Sequence, residues 1–174
     1  VNYGLVIAVD PGASGAVVVR STAGAGAVRD VLTYESRRTV DAVIRRWCGD
    51  SASPDAVALI EKVGASGLMM PANAFSFGGN YEGWIHAFIG AQVPCFTVTP
   101  QRWQRAVVPH VTSMGDVRKR DLRDAAKALF DLPVSESLLP PKTRITLDNC
   151  DALLLSEYAL RQLRKGEPLG EPTL

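Results

Sequence analysis

The chain has 174 residues, 47% hydrophobic and 21% charged, with a formal net charge of +1. That is the length and composition of an ordinary soluble globular domain with a real core, and the balance argues against a wholly cationic nucleic-acid binder. No apolar run approaches the ~18 residues of a membrane span, so no membrane association is expected.

The start of the sequence lacks the basic run and cleavage site of a secretory signal. Cys48, Cys95 and Cys150 are odd in number, widely spaced and set in apolar contexts. They read as reduced core thiols in a cytoplasm, not as a disulfide framework or a zinc site. Charge is unevenly spread. Between Gln101 and Lys127 seven basic residues face three acidic ones, a local +4 within a total of +1 that leaves −3 elsewhere. A solvated helix face is the cheaper explanation, but the segregation also suits a phosphate-tracking surface.

In chain order, Leu5 to Val9 is a continuous aliphatic stretch of strand length. A strand apolar on both faces belongs in the middle of a sheet. Asp10-Pro11-Gly12-Ala13-Ser14-Gly15 ends it, placing a carboxylate on a rigid element before a sharp, glycine-bearing turn. Turn chemistry alone is an equal explanation of that Asp. Ala16 to Arg20 and Val28 to Tyr34 read as two further strands joined by the Gly/Ala/Ser-rich 21–26, completing a three-stranded meander. Val40, Val43, Ile44 and Trp47 form one helical stripe that Thr39 could cap.

Ala56 to Ile60 is a second fully apolar strand, and it too ends in a carboxylate, Glu61. Residues 63–71 form a loop with exposed-looking Leu68, Met69 and Met70. Residues 74–91 have helical periodicity in Phe77, Tyr81, Trp84, Ile85 and Phe88, weakened by Gly79, Gly83 and Gly90. Cys95 to Val98 is a fifth strand, and Thr99-Pro100 caps and opens a short helix through Trp103. Asp116 to Phe130 is a basic helix, and the last long helix is expected from about Thr146 to Lys165, stopping at Gly166. No internal repeat is visible. Residues 1–165 are expected to be one domain and 166–174 a loose tail.

In the last helix Asp148 and Asp151 are three apart and should project from one face. Asp148 alone could be an N-cap; Asp151, just ahead of Ala152-Leu153-Leu154-Leu155, is harder to explain so. The acids thus run strand-Asp, strand-Glu, then a helical Asp-x-x-Asp. Four gathered carboxylates need cations, and oxygen-only ligands select Mg²⁺ or Mn²⁺. Two such ions ~4 Å apart could hold a phosphodiester, activate water and stabilise a leaving 3′-oxygen.

These residues resemble the RuvC-type Holliday-junction resolvases of the RNase H-like superfamily, and more closely their phage-encoded relatives. The carriers are Val9-Asp10-Pro11-Gly12, Leu59-Ile60-Glu61-Lys62-Val63, Phe75-Ser76-Phe77-Gly78 to Gly83, Thr97 to Trp103, and Asp148-Asn149-Cys150-Asp151-Ala152-Leu153, all in order. The resemblance covers about Leu5 to Ala159. It implies an α/β fold: a mixed five-stranded sheet, an antiparallel meander plus parallel strands, flanked by helices. It also implies a homodimer that nicks two symmetric strands of branched DNA, in the host cytoplasm if phage-encoded.

Asp10, Glu61, Asp148 and Asp151 match the family's acids, holding two Mg²⁺ or Mn²⁺ per active site. Lys119 matches a basic residue at the scissile region, with Arg118 almost as good a match. Arg102, Arg105, Arg118, Lys119, Arg120 and Arg123 would contact DNA, and Leu68 or Met69 would be the residue that wedges into the junction. Two departures matter: basic residues are few overall, and the loop after Glu61 has no aromatic before Phe75. A broader taste for flaps and forks fits equally well.

A dimer is expected through the helix of residues 74–91. Gly79, Gly83 and Ala87 lie on one line beside Trp84 and would let a second backbone approach. The alternative is that these glycines face the chain's own sheet. Two rival functions are a non-catalytic RNase H-like scaffold, which would have no use for four acids, and an actin-like or sugar-kinase-type phosphotransfer domain. The latter needs roughly twice this length and leaves the Asp-x-x-Asp without a task.

Overall fold

The computed structural model describes residues 3–49, 55–62, 71–131 and 138–173, the side chains of 71–77 excepted. Leu68 and Met69, the wedge candidates, lie outside the described residues.

Three apolar segments form the middle of a mixed sheet because none has a polar face to turn to water. These are β1 (Leu5–Val9), β2 (Ala16–Ser21) and β4 (Ala56–Glu61); β2 and β4 are buried along their whole length. β1 pairs antiparallel with β2, and β2 with β3 (Val28–Thr33), giving the expected meander. On its other side β1 pairs parallel with β4, and β4 parallel with β5 (Cys95–Val98).

Here the sheet departs from expectation. Among the described residues it has six strands, in the order β3-β2-β1-β4-β5-β6, the last being β6 (Glu171–Pro172) from the segment expected to be a loose tail. Without it β5 would be an open edge with unpaired backbone groups. Glu171 and Pro172 pair with Thr97 and Phe96, the Thr173 amide donates to the Cys95 carbonyl at 2.9 Å, and Leu169 is only 3% exposed. The Lys62 ammonium meets the Glu171 carboxylate at 2.5 Å, tying this strand to the end of β4.

Helices cover both faces. On one lie α1 (Arg37–Val43), which continues as a π-type turn over Ile44–Cys48, and α2 (Pro71–Gly90). Val40, Val43, Trp84 and Phe88 pack there on Ile7, Val9, Ala58 and Ile60. Ser36, not Thr39, caps α1: its hydroxyl accepts from the Arg38 amide.

On the other face lie α3 (Pro100–Val107), α4 (Gly115–Phe130) and α5 (Cys150–Lys165). Trp103, Leu122, Ala126, Leu154, Leu155 and Tyr158 pack there on Val6, Ala8, Val57 and Leu59. α5 is buried around most of its circumference and ends at Gly166, φ 68°, as expected. A fully buried Arg20 pins it to the meander: the guanidinium donates to the Gly26 carbonyl, meets Glu157 at 2.6 Å and lies over the Phe130 ring. All three cysteines are free and buried. Among the described residues no helix is long and apolar enough to cross a membrane.

Candidate active site

Parallel pairing of β1 with β4 sets Val9 opposite Ile60. Asp10 and Glu61, the next residue in each segment, therefore reach the carboxyl-terminal edge of the sheet side by side, where open α/β sheets hold ligands. Strand alternation decides their direction. Ala8 and Leu59, two residues earlier, belong to the core beneath α3, α4 and α5, so both carboxylates point to that side. α5 presents Asp151 from its first turn, and α4 presents Lys119.

The turn after β1 explains the glycines that follow Asp10. The Gly12 amide donates to Asp10 Oδ1 at 3.0 Å, orienting the carboxylate. A Cβ on Gly15 would stand 2.1 Å from the Asp10 carbonyl oxygen, so only glycine permits this close approach. Burial pushes the Asp10 carboxyl above its usual range; the Gly12 amide and Lys119 oppose this, while Asp151 and Asp148 add to it.

Glu61 is 8% exposed. Burial foremost, then the charge of Asp10, pushes its carboxyl up to about 8, against the hydrogen bond it accepts from the Trp103 indole N–H at 2.8 Å. Lys119 is the cation of the group. Burial works against its charge, but its ammonium lies 2.6 Å from Asp151 Oδ2, and Asp151, with Cys150 and Asp10 behind it, raises it above the ordinary lysine range.

Asp148 corrects the helix boundary. α5 starts at Cys150, not near Thr146, because the preceding turn uses its own polar groups. Asn149 Oδ1 accepts from the Thr146 amide at 2.8 Å and its Nδ2 donates to the Arg144 carbonyl at 2.9 Å. Thr146 Oγ1 accepts from the amides of Asp148 and Asn149. Asp148 therefore sits exposed in a turn, not on the helical face it was expected to share with Asp151, though its charge still reaches Asp10.

Among the described residues no group of three or more His, Cys, Asp and Glu closes into a ready metal cluster. The Lys119 ammonium lies against Asp151. The donor chemistry nevertheless fits a hard divalent cation. The donors are all oxygen, and Asp10 and Glu61 are held above their usual carboxyl range by burial and by neighbouring carboxylates, with one ammonium against four acids.

The other expected residues are spread around this centre. Arg102 and Arg105 are exposed on α3; Arg120 is exposed, and Arg118 and Arg123 half-buried, on α4. Arg123 is engaged by its neighbour Asp124 at 3.1 Å. Gly79, Gly83 and Ala87 line a recess between α1 and α2, and a Cβ on either glycine would meet nothing within 4 Å among the described residues. These glycines therefore do not face the chain's own sheet.

Trp84 is misassigned as a contact for a second subunit. It is 0% exposed, stacked on Phe88 and tilted against Tyr34, because the inner face of α2 needs a large side chain to fill the space over β1 and β4. Sequence patterning assigns no role to Trp103 or Asn149. A tryptophan three residues after a helix-opening Pro, behind a strand paired to an acid-ended strand, is the signal that could have found the first.

The sheet order, the helices on both faces and the two acids at adjacent strand ends define an RNase H-like α/β fold. Within that class the chain has a RuvC-type fold. It is similar to Thermus thermophilus RuvC in complex with a Holliday junction substrate, at TM-score 0.67 and 14% identity, over 97% of this chain and 99% of that one. It is similar also to another structure of Thermus thermophilus RuvC, at TM-score 0.65 and 16% identity over the same shares. No protein-family model matches the sequence, and no curated protein does.

Proposed function

We propose that this chain is a divalent-metal-dependent endonuclease that nicks four-way junctions and other branched DNA, acting as a homodimer. The observation that carries this is the pairing of two strand-end carboxylates, half-buried Asp10 and buried Glu61, on one side of the sheet with Asp151 and Lys119 facing them. Similarity to a RuvC bound to a Holliday junction supports the choice of substrate class.

Asp10, Glu61, Asp148 and Asp151 would hold Mg²⁺ or Mn²⁺, two per site. Such ions supply an activated water and charge stabilisation at a leaving 3′-oxygen. The reaction is hydrolysis: water adds to phosphorus, the P–O3′ bond breaks, and a 5′-phosphate and 3′-hydroxyl result.

The chain's own side chains do the rest. The Gly12 amide fixes the direction of Asp10, and Lys119 offers positive charge beside Asp151 where a scissile phosphate would approach. Exposed Arg102, Arg105 and Arg120 offer charge to flanking phosphates without reading sequence. Arg123 is a weaker candidate, since Asp124 already engages it. The free, buried cysteines support work in a reducing compartment such as the cytoplasm.

A four-way junction is nearly two-fold symmetric, which favours two matched sites in a two-fold dimer. The open glycine recess of α2 supports a second copy there. A non-catalytic scaffold is the alternative, and metal dependence separates the two. End-labelled junction, flap, fork and linear duplex, incubated with Mg²⁺, Mn²⁺ or EDTA, should show paired cuts across the branch point only with metal. Asp10→Asn should cut about 10³-fold more slowly, the several kcal/mol a metal-held charge supplies, while binding junction in EDTA like the wild type. Loss of folding in that variant, or cutting in EDTA, would refute the reading.

A further inference from the structure

Trp103 lies where the strand that flanks Glu61 turns into a helix. Glu61 pairs in register with Val98, the last residue of β5, and α3 begins two residues later at Pro100. The first turn of α3 therefore stands over the end of β4, and position 103 faces inward. Trp103 is 0% exposed and packs in the core with Ala8, Leu59, Leu155 and Tyr158. Its indole N–H donates to Glu61 Oε1 at 2.8 Å.

The other tryptophans give a scale for that bond. The Trp84 indole, equally buried, donates its N–H to no protein group among the described residues. Trp47 donates to Asp30 at a longer 3.3 Å. Trp103 alone of the three points its N–H at an acid of the candidate active site. A glutamate at a strand end has three side-chain torsions, and a donor on one carboxylate oxygen restricts all of them. The outer side of the same helix carries exposed Arg102 and Arg105. One short helix thus joins the DNA-facing surface to the orientation of Glu61.

We infer that Trp103 is a positioning residue for Glu61, holding its carboxylate in the orientation that receives a divalent cation. This rests on the metal-dependent reading of the site above. Partners that orient a metal ligand in this way change metal affinity or activity by about 10- to 100-fold when removed.

The test is Mn²⁺ binding to the full chain without DNA, by titration calorimetry, with thermal melting alongside. Trp103→Phe keeps an apolar ring and removes the N–H; it should bind Mn²⁺ about tenfold or more weakly. Trp84→Phe makes the same loss of volume at an equally buried site whose N–H meets no protein group among the described residues, and should bind Mn²⁺ like the wild type. A folded Trp103→Phe with wild-type Mn²⁺ affinity, or one weakened only as much as Trp84→Phe, overturns the role. Should Trp103→Phe fail to fold, the indole N–H resonances of the wild type decide. Assigned through Trp47→Phe and Trp84→Phe, the Trp103 signal should be the first that Mn²⁺ broadens, and its persistence would overturn the inference. A wild-type protein that binds no Mn²⁺ is a different failure: it removes the metal-site reading itself, and the positioning role with it.

Discussion

The environment of Glu61 makes a stability prediction that needs no substrate. Its carboxyl titrates near 4.5 in an unfolded chain and is pushed up to about 8 in the folded one, burial first and the Asp10 charge second. A folded pKa above the unfolded one means that, between those values, the folded state holds a proton the unfolded state has released. Stability must therefore fall as pH rises through that window, by ~1.36 kcal/mol for each pH unit. Integrated from pH 5 to pH 8, the loss comes to about 3–4 kcal/mol, with little further change above that.

Glu61→Gln removes the titration while keeping shape and an oxygen able to accept the Trp103 N–H. Urea unfolding at pH 5, 6, 7 and 8 in EDTA would give the free energy of each protein. The wild type should lose stability relative to Glu61→Gln across the series, and Mg²⁺ should reduce the difference at pH 8, where a cation can neutralise the ionised carboxylate. Parallel curves for the two proteins in EDTA would refute the arrangement, because a solvated or already neutralised Glu61 has no reason to titrate so high.

Changing the exposed Arg102, Arg105 and Arg120 together to Ala should weaken binding to every DNA structure and reduce the salt slope by up to about 0.9 for each lost phosphate contact, read from binding isotherms at several salt concentrations. A Cβ on Gly83 would meet nothing within 4 Å among the described residues, so Gly83→Leu should leave the fold intact and gain roughly 0.5–1 kcal/mol from helix propensity. Sedimentation should nevertheless show a monomer that makes no paired cuts; a Gly83→Leu protein that stays dimeric removes α2 from the interface. Gly15→Ala drives a methyl into the Asp10 carbonyl and should cost about 1–3 kcal/mol in chemical denaturation, with cleavage falling alongside. Unchanged stability would mean the turn is not as tight as described.

Much of this architecture is written locally. Leu5–Val9 and Ala56–Ile60 declare themselves central strands because neither has a polar face, and each announces its carboxylate as the residue that follows. Pro100 and Gly166 mark their helix ends because a fixed φ at the first helical position and a positive φ after the last are properties of single residues, while Thr99 stands at the N-cap without a side-chain capping bond. Asp10, Glu61 and Asp151, whose charges the fold brings within reach of one another, could be picked out as candidates from residue types and order.

What the chain could not declare locally depends on partners distant in sequence. The docking of Glu171–Pro172 depends on an otherwise open edge at β5, far earlier in the chain, and nothing in a short Pro/Gly tail signals that edge. Asp148 looked helical by spacing, yet Asn149 and Thr146 compete for the backbone there and hold a turn instead. Trp84 looked available on a glycine-bearing helix until the opposite face of the sheet demanded its volume. The Lys119–Asp151 and Trp103–Glu61 bonds join residues 32 and 42 positions apart. Periodicity assigns a residue to a face of its own element, but only packing of the elements decides which polar atom it meets.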